Sequence, residues 1–177
     1  NYYQDLSPPY SSRNGPISDI NDLLLVKGIT PELFYGSTDK PGIAGFLTEY
    51  GMTPGAGTSF TFPGKININT AELPVLVAML PSENVDMAQA FFDLRQEAAT
   101  NKDGPDLSDT TWYKDIAGIG GIDLDTNLIT TASDIFRIAS VAKVNASVLT
   151  TIAVVQRLKN AKTGKWFCKI LSYQTAS

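Results

Sequence analysis

The stretch Lys65-Ile66-Asn67-Ile68-Asn69-Thr70-Ala71 decides how the chain is read. Apolar and amide side chains alternate from Lys65 to Asn69. The alternation predicts a short strand with Ile66 and Ile68 on one face and Asn67 and Asn69 on the other. A helix is expected at once after it. Asn69 and Thr70 are both N-cap types, and Glu72 stands three residues after Asn69, as in a capping box. Leu73, Leu76, Val77 and Leu80 then recur at i, i+3, i+4 and i+7, which is one apolar helical stripe. Pro74 is comfortable only in a first helical turn, so the helix starts at Asn69 or a few residues later. Pro81 ends it. By pattern alone the segment is a strand-to-helix corner built from core residues.

Downstream, Ser82 or Asn84 caps a helix whose stripe is Met87, Phe91, Leu94 and Ala98. A turn over residues 101–105 leads to a shorter helix capped by Ser108 and carrying Trp112, Tyr113 and Ile116. Gly118, Gly120 and Gly121 break it. From about Leu128 the apolar period changes from helical to two-residue. Residues 134–144 and 148–158 alternate, the turn 159–165 is charged, and 166–173 is the return strand. Together they predict a three-stranded antiparallel meander. The expected helical core is Ile66, Ile68, Leu73, Leu76, Val77, Phe91 and Leu94, and the expected sheet core is Phe136, Ile152, Val154 and Ile170. Helices first and strands last is the α+β pattern.

Upstream, residues 1–15 are rich in Tyr, Pro, Ser and Gly and read as a connecting loop pinned by its tyrosines or as a frayed terminus. Ser18 is placed to cap a helix through about Val26, with Gly28 ending it. Thr30-Pro31-Glu32 is a second helix start, ended by Gly36. Residues 36–64 are the least regular: 46–52 reads as a strand or a single helical turn, 53–58 as a flexible loop, and 60–62 as a strand leading into Lys65.

Composition limits the chemistry. The 177 residues include no histidine, so histidine acid–base catalysis, Ser-His-Asp or Cys-His nucleophiles and His-ligated zinc are excluded within this chain. Cys168 is the single cysteine, which excludes an intrachain disulfide; its apolar surroundings predict a buried thiol. The formal charge of −4 argues against a nucleic-acid partner, which favours a basic face. No stretch is long and apolar enough to span a membrane. The chain begins at Asn1 with neither a Met nor a signal sequence, as a trimmed piece of a longer protein would.

Three blocks carry a family resemblance: PPYSSRNGPISDINDLLLVKGITPELF from Pro8, KININTAELPVLVAML from Lys65, and the strand TTASDIFRI from Thr130, with DLRQE ending the helix between the last two. In this order they resemble the K-type minor pseudopilins of bacterial type II secretion systems. The resemblance covers nearly the whole chain. It implies a helical, helix-hairpin-helix-like domain, residues 16–127, inserted into a small pilin-like antiparallel β domain formed by 1–15 and 128–177. It implies an N-terminal helix, outside this chain, that anchors the protein in the bacterial inner membrane with this part in the periplasm. It also implies no catalytic activity, a structural role at the pseudopilus tip with I-type and J-type minor pseudopilins, and the capacity to bind calcium.

The candidate calcium loop is Asp123-Leu124-Asp125-Thr126-Asn127, with oxygen ligands at alternate positions and Asp134 at position 12. Leu128 stands where a calcium loop has glycine, and Asp134 where it has glutamate. A solvated turn leading into a strand is the alternative for Asp123, Asp125, Asn127 and Asp134. The pairs Asp86 with Asp93 and Asp103 with Asp106 have the residue types of glycosidase carboxylates, and read better as solvated surface. A second resemblance, to helix-hairpin-helix DNA-binding modules, rests on NINTA, the two helices and the Gly-rich GIGGI. Such hairpins offer glycine N–H groups to phosphate. Here the first hairpin carries Glu83 in place of a glycine pair, and the second is flanked by Asp115, Asp123 and Asp125. The expected partners are therefore other pseudopilin domains, with Tyr50 and Phe60 as candidate contacts, and no nucleic acid.

Overall fold

A computed structural model describes residues 2–57, 59–62, 64–101 and 104–176. Helix and strand are mixed, and the class is α+β. The chain divides into two compact units, Asn1–Phe62 and Pro63–Ser177, with a boundary that falls inside segment 16–127.

In the first unit a 3-10 helix runs over Ile20–Leu25. Its cap is Asp19 and not Ser18: the Asp19 carboxylate accepts from the Asn21 N–H. Helix α1, Pro31–Tyr35, starts as its sequence predicts, with Thr30 Oγ1 accepting from the Leu33 N–H and Pro31 in the first turn. Gly36 ends it at φ 90°. The two-residue strands β1 (Gly36–Ser37) and β2 (Lys40–Pro41) pair tightly, and a Cβ at Gly42 would collide with the Phe34 carbonyl. Residues 46–52 form no strand; a 3-10 helix covers Ile43–Phe46. Strand β3 (Thr53–Pro54), in the expected loop, pairs antiparallel with β4 (Phe60–Thr61). Among the described residues of this unit only Phe34 is buried. Polar tethers compensate. Tyr10 donates to the Leu25 carbonyl at 2.6 Å, the Tyr3 hydroxyl accepts from the Lys27 N–H, and the Lys27 ammonium lies 4.6 Å from the Tyr2 ring.

The second unit is built on the Lys65–Ala71 corner. Strand β5 is only Ile66–Asn67. It pairs in parallel with β6, Ile129–Thr130, through bonds from Ile66 N–H to the Leu128 carbonyl and from Ile68 N–H to that of Thr130. Helix α2 is Leu73–Met79, capped by the Glu72 backbone, with Pro74 in its first turn. The capping box from Asn69 does not form because its side chain is committed elsewhere. Asn69 Nδ2 donates to the Leu107 and Thr131 carbonyls, and Oδ1 accepts from Trp112 Nε1 at 2.8 Å. A 3-10 helix over Ser82–Met87 precedes α3, Ala88–Thr100, and the Ser108 helix reduces to a 3-10 turn at Trp112–Asp115.

The core joins Ile68, Leu76, Leu80, Phe91, Trp112, Tyr113, Ile119 and Ile129. Phe91 stacks on Tyr113 and meets Trp112 edge-on. Leu94 packs against this core and Ile66 is half-buried, whereas Leu73 and Val77 are exposed. The apolar stripe is thus narrower than its periodicity suggests, because α2 starts only at Leu73 and turns a single face inward. Arg95, on α3, is buried, and among the described residues no carboxylate pairs with it. Its Nη1 donates to the Ile68 and Ala71 carbonyls and closes the corner from below, and burial pushes its pKa down.

Strands β7 (Ile135–Val144), β8 (Ser147–Lys159) and β9 (Trp166–Ala176) form the predicted antiparallel meander in the order β7-β8-β9. A bulge between Val154 and Val155 shifts the β9 register.

Candidate interaction surface

The β7–β9 sheet carries the largest departure from expectation. Its sequence promises a packed core, but of its apolar residues only Val155 is buried. Ile152 and Val154 are half-buried, while Phe136 and Ile170, expected inside, are exposed. Register explains which side chains stand together. Phe136 is opposite Val155, which is opposite Ile170, and Ile138 is opposite Ala153, which is opposite Tyr173. These two rows lie on one face, since paired residues in antiparallel strands project to the same side. Ile138, Ile170 and Tyr173 on it are 51%, 63% and 62% exposed. Cys168 shares that face and is exposed, which corrects the buried thiol read from its apolar neighbours. Large exposed apolar patches are uncommon on monomeric soluble proteins.

At the hairpin end of the same face the apolar rows give way to cations. Arg157 lies with its guanidinium 4.9 Å from the Trp166 ring and 5.7 Å from that of Phe136. The Lys159 ammonium lies 5.6 Å from Trp166. This feature was readable in the sequence, in a signal that a whole-chain charge conceals. Seven of the fourteen Lys and Arg residues follow residue 134, and none of the eighteen Asp and Glu residues does.

Each of the four candidate calcium ligands has local contacts of its own or lies beside one that does. Asp123 is held by Lys114 at 2.5 Å, and this ion pair pulls its carboxyl below the usual range. Asp125 accepts from the Asn127 backbone N–H in a local turn. Asp134 faces Arg157 at 3.5 Å. Among the described residues no three acidic, Cys or His side chains converge on one point. As arranged, two of the carboxylates, Asp123 and Asp134, face cations.

Among the paired carboxylates, Asp86 and Asp93 are exposed, while Asp103 lies outside the described residues. Asp106 accepts from the Ser108 N–H, which lowers its pKa. In the Gly118–Gly121 loop Ile119 is fully buried, and Lys114, upstream of it, is paired with Asp123. Of the two candidate contact aromatics, Phe60 is exposed and Tyr50 half-buried; Phe60 lines an open cleft of about 330 Å³ with Met52 and Phe62, within the first unit. Among the described residues no helix is long and apolar enough to cross a membrane.

No protein-family model, curated protein or solved structure matches this chain.

Proposed function

We propose that this chain is a structural assembly module, the periplasmic part of a K-type minor pseudopilin anchored in the bacterial inner membrane by a helix outside the chain. In this reading residues 16–127 form a helical domain inserted into a pilin-like β domain of 1–15 and 128–177. The domain caps a secretion pseudopilus together with I-type and J-type minor pseudopilins and supports protein export without catalysis. The observation that carries the reading is the open apolar face of the C-terminal sheet, where Ile138, Ile170 and Tyr173 are left without a covering element among the described residues. Apolar side chains exposed in rows need a partner surface, and assembly interfaces of moderate size supply one. The absence of histidine and the paired state of Asp123 and Asp134 favour recognition over catalysis.

The calcium capacity implied by the resemblance requires Lys114 to release Asp123 and the 123–127 loop to close on the ion. Calcium titration monitored by melting temperature tests that part separately. The assembly itself is tested by mixing the domain with I-type and J-type heads and running size exclusion. Co-elution as one complex is expected. Separate elution, with salt-sensitive binding to duplex DNA, would restore the helix-hairpin-helix alternative.

A further inference from the structure

We propose that the β8–β9 hairpin end of the sheet docks on the surface of an anionic lipid bilayer. The inference stands apart from the assembly reading and uses different residues. It begins with charge. After residue 134 the chain has seven basic residues and no acidic one, whereas the first 134 residues hold all eighteen acids against seven bases. Folding concentrates this. Lys159, Lys162, Lys165 and Lys169 surround one turn, and all four are exposed. Among the described residues no carboxylate lies within ion-pair distance of any of them; Asp134 faces Arg157 instead.

The turn is held rigid. Asn160 Oδ1 accepts from the Lys162 and Thr163 N–H groups, and the Asn160 backbone bonds both Gly164 and Lys165. The lysines therefore project from a fixed platform. They also project in different directions: Lys159 and Lys169 lie on opposite faces of the sheet, while Lys162 and Lys165 lie in the turn. That spread suits an extended layer of negative charge and not a single bound phosphate, which needs convergent donors.

The apolar neighbours select the class of polyanion. Trp166 and Phe167 open β9 beside the lysines and are 58% and 48% exposed. Tryptophan flanked by lysine is the side-chain pairing of the membrane–water interface, where the ring sits at headgroup depth and the ammonium reaches lipid phosphate. A duplex would give Phe167 no apolar environment, whereas a bilayer does. Each basic side chain near an anionic bilayer raises partitioning by roughly fivefold. The acid-rich remainder of the chain is screened beyond a Debye length of about 8 Å at physiological salt.

The test uses the whole chain in vesicle co-sedimentation. One set of vesicles is phosphatidylcholine alone, and the other is seven parts phosphatidylcholine to three parts phosphatidylglycerol, at low and high salt. The expected result is binding to the anionic vesicles only, weakened by salt, with a blue shift of Trp166 emission. Replacing Lys159, Lys162, Lys165 and Lys169 with Gln should lower partitioning at least tenfold. An unchanged Trp112 emission in that variant verifies that the fold is intact. Three outcomes overturn the proposal: equal binding to both vesicle types, binding to duplex DNA with none to vesicles, or salt-sensitive self-association on size exclusion in place of lipid binding.

Discussion

Replacing Asn69 tests whether one amide holds the second unit together. Its side chain makes three bonds that link the corner to residues 107, 112 and 131, far apart in sequence. In Asn69→Ala the Trp112 N–H, on a residue only 3% exposed, loses its acceptor. Leaving such a donor unsatisfied costs about 1–3 kcal/mol. The Leu107 and Thr131 carbonyls each lose a donor, at about 0.5–1.5 kcal/mol apiece where water does not replace it. Asn69 is partly buried, so water reaches part of the site, and a total of about 2–4 kcal/mol is expected.

Asn69→Asp adds a sharper signature. The introduced carboxyl keeps the bond from Trp112 but turns a charged oxygen toward two carbonyls. Its folded pKa is raised, so its destabilisation is present at neutral pH and relieved as pH falls and the group protonates. Urea unfolding followed by tryptophan emission is the assay, because Trp112 and Trp166 both lie in the second unit. A loss below about 0.5 kcal/mol for Asn69→Ala, the ordinary range of a surface substitution, would refute the account of the corner.

Leu76 is 1% exposed and Val77 is 38% exposed on the same helix. Leu76→Ala should cost about 2–5 kcal/mol by cavity formation, and Val77→Ala under about 0.5 kcal/mol as a surface change; equal losses in denaturant melts would mean that α2 is rotated. Asp106, Asp109 and Asp123 have pKa values lowered from 3.8, the first two chiefly by backbone N–H donors and Asp123 by Lys114. Their stabilising contribution is present above the unfolded value of about 3.9 and is lost as pH falls through the lower folded values; carboxyl NMR titrations should give all three midpoints below that of a free aspartate. Cys168 is exposed, so a thiol reagent should label the native protein at a rate close to that of the denatured chain. Protection by many-fold would place it back inside.

Much of the fold is legible wherever a local rule meets no competitor. Thr30-Pro31 starts α1 because nothing else claims the threonine hydroxyl. The alternation from residue 134 onward gives the meander, since period-two patterning and the turn at 159–165 agree. Asn69 fails as a cap because three partners far apart in sequence outcompete the local N–H groups, and no local pattern records them. The parallel pairing of β5 with β6 is hidden for the same reason, as its partner lies more than sixty residues away. Phe136 and Ile170 look like core residues because apolarity in a strand predicts burial, yet burial requires a second layer, and the sequence of one layer does not show whether another covers it. The pairing of Asp123 with Lys114, nine residues apart across an irregular loop, is recorded by no local pattern. The cationic hairpin was legible and is masked by averaging its charge over the whole chain.

The central claim is that the open face of the sheet is the assembly surface. It is tested most directly by placing a charge there, as in the double variant Ile138→Lys and Ile170→Lys. Both positions are more than half exposed, so the domain should melt as the parent does. The account predicts that the parent chain co-elutes with I-type and J-type heads and that the variant elutes alone. A variant that still forms the complex with parental affinity would contradict it.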